Sequence, residues 1–534
     1  MPGCTLLPTM TLEALKQQHR LIHHFLEISA ANFPRKTALV HDTERVTYHD
    51  LNRMADGLAS WLLGAGIQPG DRVVLLLVNS QEYVASYYGI LKSGAVAVPL
   101  STDIKPNSII PLLEELEARF VITSYRFERM LQSIDWQGSG VSRLLIHRPK
   151  RDWGQSAIGV VPLEDILDAP NTVHLHVDVQ PTDLAAIIYT SGSTAKPKGS
   201  MLSHDNIVAN TFAICHYLKL SSDDIQMVVL PFFYVMGQSL LNTHMAVGGT
   251  VVINNKFAYP ADVLNQMVTE QVTGFSGVPS TYALLLYRSP LRAYRDRLTS
   301  LRYCSQAGGH MSPQIKSDLR QALPKHTEIY IMYGATEASA RLTYLEPCQL
   351  SVRPNSIGKP IPGVILRVMG TDNNEVPHGQ WGEIVAQGPN IMTGYWRDPE
   401  STAAVLGASG YRTGDIGYMD ADGFFYVSGR KDNILKVGGH RISTQEVEDA
   451  LATTGLVIDS VVFGLPDPLL GHRLAALIAP KDEGCSANEI LASLAALIPR
   501  YKFPAEVKLC RNLPQNASGK IDRGKCLKLF MNNK

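Results

Sequence analysis

Apolar positions follow two rhythms along this chain, and the rhythm changes near residue 357. Before that point, short apolar runs of strand length alternate with longer stretches of helical spacing. The spacing predicts a lead-in helix over 11–33, an amphipathic helix His49–Ala65, a buried strand Arg72–Val78 and a helix over 81–93. A strand Ala95–Leu100, a helix near 108–118 and a strand Phe120–Thr123 follow. Residues 136–183 carry several Gly, Pro and Asp with little periodicity, so an irregular connection is expected there. Ile187–Tyr189 then reads as the end of a buried strand, and Ser203–Tyr217 as a helix with Ser203 as its N-cap. Val228–Gly237 reads as a strand running into an aromatic-rich turn, Thr250–Ile253 as a strand and 261–271 as a helix. Leu301–Gly309 and Glu328–Glu337 are again apolar runs that end in glycine and polar residues. This alternation implies an α/β fold with many parallel strands, and strand ends of that kind are where such sheets place ligands.

After 357, glycine and proline become frequent, and short alternating runs such as Gly382–Ala386 suggest a smaller antiparallel, β-rich part. Asp422-Gly423 between two apolar runs predicts a hairpin. A helix over 446–453, strands over 459–464 and 474–480, a helix over 487–498 and a strand over 505–510 then make a compact α+β unit. With the boundary at Asp432, the expected domains are 1–431 and 432–534.

Composition narrows the picture. The chain has 534 residues, 45% hydrophobic and 18% charged, so a large core can be buried across at least two domains. Lys+Arg and Asp+Glu both total 49, and no basic excess points to nucleic acid. The seven cysteines form no C-x-x-C pair, which fits reduced thiols better than a disulfide framework or a zinc site. Residues 1–30 hold no continuous apolar segment, no run of eighteen apolar residues occurs, and the chain ends MNNK; the expected location is the cytoplasm.

The richest chemistry lies in Ile187–Gly199, IIYTSGSTAKPKG. Thr190, Ser191, Gly192, Ser193, Thr194 and Lys198 follow a strand end directly. Hydroxyls and backbone N–H groups can wrap phosphate oxygens, glycine lets the backbone approach, and lysine supplies charge. Neither the Walker pattern nor G-x-G-x-x-G is present. Composition alone fits a flexible Ser/Thr/Gly surface loop equally well; the order strand, hydroxyl-glycine loop, Lys-Pro-Lys-Gly favours phosphate.

Seven stretches in one order carry a wider resemblance: YTSGSTAKPKG, PFFYVMG, YGATE, the GEI…GPNIMTGYW region, YRTGD, GRKDNILKVGGHRIS and NASGKIDR. Over about 35–525 the chain resembles the superfamily of acyl- and aryl-CoA synthetases, peptide-synthetase adenylation domains and firefly luciferase. The resemblance implies a large N-terminal domain of α/β subdomains plus a β-rich subdomain, and a small mobile α+β C-terminal lid. It implies attack of a carboxylate on the α-phosphate of MgATP to give acyl-AMP, then attack by the thiol of coenzyme A or of a carrier-protein pantetheine.

Residue by residue, Thr190–Thr194 and Lys198 match the loop that holds the β- and γ-phosphates. Thr336 matches the α-phosphate contact and Glu337 the Mg²⁺ ligand. Gly309, His310, Tyr333 and Gly334 resemble the adenine pocket. Asp415 matches the ribose acceptor, and Arg430 a ribose or phosphate contact. Lys520 resembles the lysine that bridges carboxylate and α-phosphate, offsetting charge that develops in the transition state. Asp432 matches the hinge about which the lid turns, after which Lys436, Gly438, Gly439 and Arg441 would serve the thiol step. Phe233, Tyr234, Met236, Val278, Gln306, Gly308, Met332 and Ala335 are the acyl-pocket candidates.

Phe232–Gly237 contains no acidic residue where α-amino-acid-activating relatives place aspartate, so a plain fatty or aryl acid is expected. The leading expectation is an AMP-forming acid–CoA ligase. The alternative is a stand-alone adenylation enzyme that loads an acyl or peptidyl carrier protein; a monomer or homodimer is expected in either case.

Overall fold

The computed structural model describes residues 18–154, 158–169, 177–190, 197–430, 434–437, 440–467, 471–482, 484–517 and 519–532. Ser191, Gly192, Ser193, Thr194, Asp432, Gly438 and Gly439 lie outside the described residues, and Lys436 and Arg441 are described by their backbone alone. Among the described residues the strands form three sheets.

The first sheet runs, edge to edge, Gly394–Tyr395, Lys198–Ser203, Leu184–Thr190, Val96–Pro99, Arg72–Leu76, Phe120–Ser124, Arg143–His147 and Gly159–Pro162. From Leu184–Thr190 onward the neighbours are parallel. Its inner strands are mostly apolar and buried because both faces are covered. Helices Tyr48–Gly64 and Gln81–Lys92 start where the side chains of Thr47 and Ser80 accept from the Asp50 and Tyr83 N–H groups.

The second sheet has a parallel core of Thr37–His41, Thr250–Ile253, Ile225–Val228, Gly274–Gly277, Tyr303–Gln306 and Glu328–Tyr333. It continues without a break into antiparallel strands Thr343–Leu345, Ser356–Pro360, Phe425–Arg430, Gly410–Met419, Gly382–Gln387 and Ile365–Met369. The β-rich part is therefore an extension of this sheet. Helices His204–Leu218 and Val235–Val247 share one apolar cluster with the first sheet's helices through Phe212, Leu240, Tyr87 and Tyr88.

The third sheet orders His440–Ser443, Ile434–Val437, Gly471–Pro480 and Val457–Asp467, with Glu506–Leu509 parallel to Gly471–Pro480. Helices Thr444–Thr453, Ala487–Leu494 and Arg523–Asn532 pack on it and bury two apolar clusters of its own. No described helix is long and apolar enough to cross a membrane.

Three expectations need correction. Residues 136–183 contain two strands, Arg143–His147 and Gly159–Pro162, and a helix Leu163–Leu167. The edge strand is only half-buried along its length, so its pairing, rather than local periodicity, makes it a strand. The strand read over 228–237 stops at Val228, and Val235–Val247 is a helix. That helix is buried on nearly every side, so no polar stripe marks its period. Of the helix expected over 11–33, residues 11–17 lie outside the described residues; Gln18 is helical, the helix breaks at 19–23, and the helix His24–Asn32 follows.

Candidate active site

Parallel strands share an edge at their carboxyl ends, so the loops after Val228, Gly277, Gln306 and Tyr333 meet there. The last of these loops doubles back tightly. A Cβ on Gly334 would collide with the Ala340 carbonyl oxygen, so this position requires glycine. The turn Thr336–Ala338 projects Glu337 toward the first sheet. Tyr395 donates from its hydroxyl to Glu337 Oε1 at 2.7 Å, and its ring lies 5.3 Å from the Lys198 ammonium. Lys198 is the strand partner of Thr190, whose hydroxyl donates to the Lys198 carbonyl at 3.4 Å. Thr190, Lys198, Tyr395 and Glu337 thus form a continuous wall linking the two sheets.

A second cluster surrounds Asp415. Tyr333 donates its hydroxyl to Asp415 Oδ2 at 2.6 Å, and Arg430 Nε lies 3.1 Å from Oδ1. Asp415 and Arg430 are directly paired across antiparallel strands, which fixes this geometry. Burial raises the Asp415 pKa, and Arg430 and the Tyr333 hydroxyl oppose that rise.

Lys520 reaches the same cleft from the C-terminal unit. Asn516 N donates to the Lys520 carbonyl at 2.8 Å, the Asn516 side chain accepts from Lys520 N at 3.1 Å, and Gly519 turns with φ +76. The Ser280 hydroxyl donates to the Gly519 carbonyl. Lys520 stays exposed to the open cleft, yet its ammonium lies among protein groups. This loss of water, reinforced by Arg430 and Arg341, lowers its pKa against the pull of Glu337. A cavity of about 50 Å³ opens beside it, lined by Pro231, Tyr234, Met236, Val278 and Thr336. Gly308 borders Lys520 closely: at φ +83, an added Cβ would sit 2.8 Å from Lys520 Cε and 3.2 Å from Val278 Cγ1. Two further contacts hold the C-terminal unit here. His310 Nε2 lies 2.8 Å from Asp449 Oδ1, and the Lys481 ammonium sits 4.4 Å from the centre of the Tyr287 ring.

Residues 26–396 match the AMP-binding enzyme family, and residues 446–520 match the AMP-binding enzyme C-terminal domain. The chain belongs to the AMP-binding enzyme family. Its relatives include a feruloyl-CoA synthase from Amycolatopsis sp, 32% identical over 93% of this chain and 96% of that one. They also include a long-chain-fatty-acid–CoA ligase from Bacillus subtilis (strain 168), 30% identical over 98% of this chain and 95% of that one. Among solved structures, the anthranilate CoA ligase AuaEII in complex with anthranoyl-AMP superposes with a TM-score of 0.86. It is 26% identical and covers 97% of this chain and 99% of its own.

Within this family fold the expected residues divide. Thr190, Lys198, Thr336, Glu337, Tyr333, Asp415, Arg430 and Lys520 converge on one cleft. Tyr234, Met236, Val278 and Gly308 border the cavity or Lys520. Phe233 is buried against the Tyr234 ring, and Ala335 is half-buried before the Thr336 turn. Gln306 spends its amide on the Gly309 carbonyl at 2.8 Å and so shapes the glycine turn. Met332 is buried and accepts from Tyr217 and Arg341 at its sulfur. His310 is engaged by Asp449. Sequence reasoning missed Tyr395, Arg341 and Asp449. Tyr395 lies in the GYW stretch, but its role depends on pairing with Ser200, nearly two hundred residues away.

Proposed function

We propose that this protein is an ATP-dependent, AMP-forming acid–CoA ligase that works through an acyl-AMP intermediate. The observation that carries the reading is Lys520, a cation brought by the C-terminal unit to a mostly apolar cavity that also contains Thr336. A carboxylic acid enters the cavity, and its carboxylate oxygen attacks the α-phosphorus of ATP. The new O–P bond forms as the bond to pyrophosphate breaks. Lys520 and Thr336 orient carboxylate and phosphate and stabilise the charge that develops between them. Lys198 and the 190–194 loop take the departing phosphates, and Asp415 accepts from the ribose hydroxyls. Glu337 suits a magnesium ion, being a hard carboxylate donor held by Tyr395, and such an ion when bound neutralises phosphate charge.

In the second step the coenzyme A thiol loses its proton to solvent and its sulfur bonds to the acyl carbon, releasing AMP. Lys520 has finished its work by then, and the unit from residue 432 turns about Asp432 to bring Lys436, Gly438, Gly439 and Arg441 to the site. Among the described residues, the cavity lining holds no carboxylate to pair with an ammonium, which favours plain carboxylic acids over α-amino acids.

Pyrophosphate release across fatty, aryl and amino acids, with and without coenzyme A, tests the reading. Turnover that requires coenzyme A with one acid class preferred is the expected result. A stoichiometric burst that coenzyme A does not relieve would replace it with carrier-protein loading.

A further inference from the structure

Another cavity, of about 360 Å³, lies where the helix His24–Asn32 meets helices Tyr48–Gly64 and Gln81–Lys92. None of the residues that line it lines the cavity beside Lys520. Its wall carries His23, His24 and Glu27. One ring nitrogen of each histidine and a carboxylate oxygen of Glu27 lie within 4.8 Å of one another. The spacing brings them together: His23 stands at the N-cap, and Glu27 follows it by four residues and His24 by three, so all three share one face. His23 is 8% exposed, and its Nδ1 finds no hydrogen-bond partner among the described residues. A buried polar atom left so is costly. The His204 ring packs edge-on 5.9 Å away, but its own Nδ1 accepts from the Ile22 N–H at 3.2 Å.

The charges around this cavity suit a cation. Arg20 and Lys92 face Glu27, Asp56 and Asp178, an excess of one carboxylate. Burial keeps the His23 imidazole uncharged, so it offers a lone pair. The Gln18 backbone hydrogen-bonds the His24 ring, as outer partners of ligating imidazoles do. Lys92 Nζ lies 3.2 Å from Glu27 Oε1, but also 2.6 Å from Asp56 Oδ1 and 2.7 Å from Asn52 Oδ1, so it stays paired when Glu27 turns away. Two imidazoles and one carboxylate are the donors that zinc and its neighbours accept, whereas magnesium and calcium favour oxygen alone. Bonds of about 2.0–2.1 Å set tetrahedral donors roughly 3.4 Å apart. The half-buried side chains of His24 and Glu27 close that gap by rotating toward His23. We propose that His23, His24 and Glu27 form a cysteine-free site for a divalent transition metal, zinc in the first instance, with water completing its coordination. The ion pins the start of the helix His24–Asn32 and stands apart from the adenylation chemistry, so the inference does not depend on the ligase reading.

The test uses the full-length protein stripped of metal by a chelator, with zinc alone as the probe. Competition against a chromophoric chelator should show a first equivalent of zinc bound by wild type. Its Kd should rise at least about a hundredfold in His24→Gln and in Glu27→Gln, at or beyond the upper end of what losing an outer partner costs. Both side chains are half-buried, so these variants should keep the wild-type melting temperature in chelator, which a change at buried His23 would not guarantee. Hydrogen exchange should slow over residues 20–32 when zinc is added to wild type, and this map locates the site even if a variant proves unstable. Magnesium in excess should neither displace the zinc nor slow that exchange. Failure of wild type to bind zinc overturns the proposal, as does a Kd unchanged in both variants or exchange slowed only elsewhere. Displacement of the zinc by magnesium overturns it too, because it would mark a site built of oxygen donors.

Discussion

Replacing Gly308 by alanine separates the two half-reactions without touching a reacting group. The added methyl would lie 2.8 Å from Lys520 Cε, inside van der Waals contact, and 3.2 Å from Val278 Cγ1. Val278 is buried in the core, so the lysine must give way. Moving Cε out to ordinary contact near 3.7 Å shifts the ammonium by about 1 Å, and a misplacement of that size costs on the order of a hundredfold in rate. The backbone at φ +83 adds strain of about 1–2 kcal/mol for any residue with a Cβ. Stopped-flow pyrophosphate release should therefore fall on the order of a hundredfold, with a modest drop in melting temperature. Thioester formation from chemically supplied acyl-AMP and coenzyme A should stay within about threefold, because in the proposed mechanism Lys520 acts only in adenylation. In a Lys520→Ala background the same glycine substitution should add no further loss to adenylation. An equal additional loss there, or near-normal pyrophosphate release in the single variant, would refute the steric reasoning.

Other expectations follow from the same geometry. Lys520→Ala should keep ATP binding by calorimetry but lose at least about a hundredfold in pyrophosphate release; near-normal release removes its assigned role. Asp415→Ala should raise the KM for ATP far more than it lowers kcat, and an unchanged KM would count against a ribose contact. Asp449→Ala breaks the partly exposed pair with His310. It should shift the ratio of adenylation to thioester formation about two- to fivefold toward the latter, while loss of both in parallel would mark a merely structural contact. His19 and His204 are buried, and burial lowers their pKa from 6.5 to about 4. The unfolded chain then binds protons that these folded histidines refuse, so their contribution is flat above pH 6.5 and lowers stability between there and about pH 4. Each histidine contributes up to about 3 kcal/mol to that fall. A difference in urea midpoint between wild type and His204→Gln that stays the same at about pH 7.5 and pH 5 would contradict this account.

Much of this was legible in the sequence where one physical rule dominated. Val73–Leu76 and Phe120–Ile122 are apolar throughout because both faces are covered. The Asp422-Gly423 hairpin announces itself through the left-handed glycine that its turn requires. Val235–Val247 escaped because burial on all sides erases helical periodicity. Gly159–Pro162 escaped because an edge strand of four half-buried residues carries almost no pattern. The site divides in the same way. Residues whose chemistry sits in one contiguous motif, such as Thr336-Glu337 or Gly519-Lys520, can be named from the amino-acid order alone. Tyr395 reaches Glu337 only through the pairing of distant strands, and Asp449 reaches His310 only once two units are packed together. Arg341 looks like an ordinary surface arginine until its burial is known.

The bonds between Asn516 and Lys520 carry one more implication. The Asn516 side chain, its own N–H and the Gly519 turn close this small hairpin from within. The rest of the enzyme meets it through the Ser280 hydroxyl at Gly519 and through Gly308 beside Lys520. The lysine is therefore presented on a scaffold already folded before docking, and the conformational entropy of ordering it is lost once, when the chain folds, instead of in every turnover. If the C-terminal unit swings as proposed, the motion carries a finished tool and leaves the reach of the ammonium unchanged.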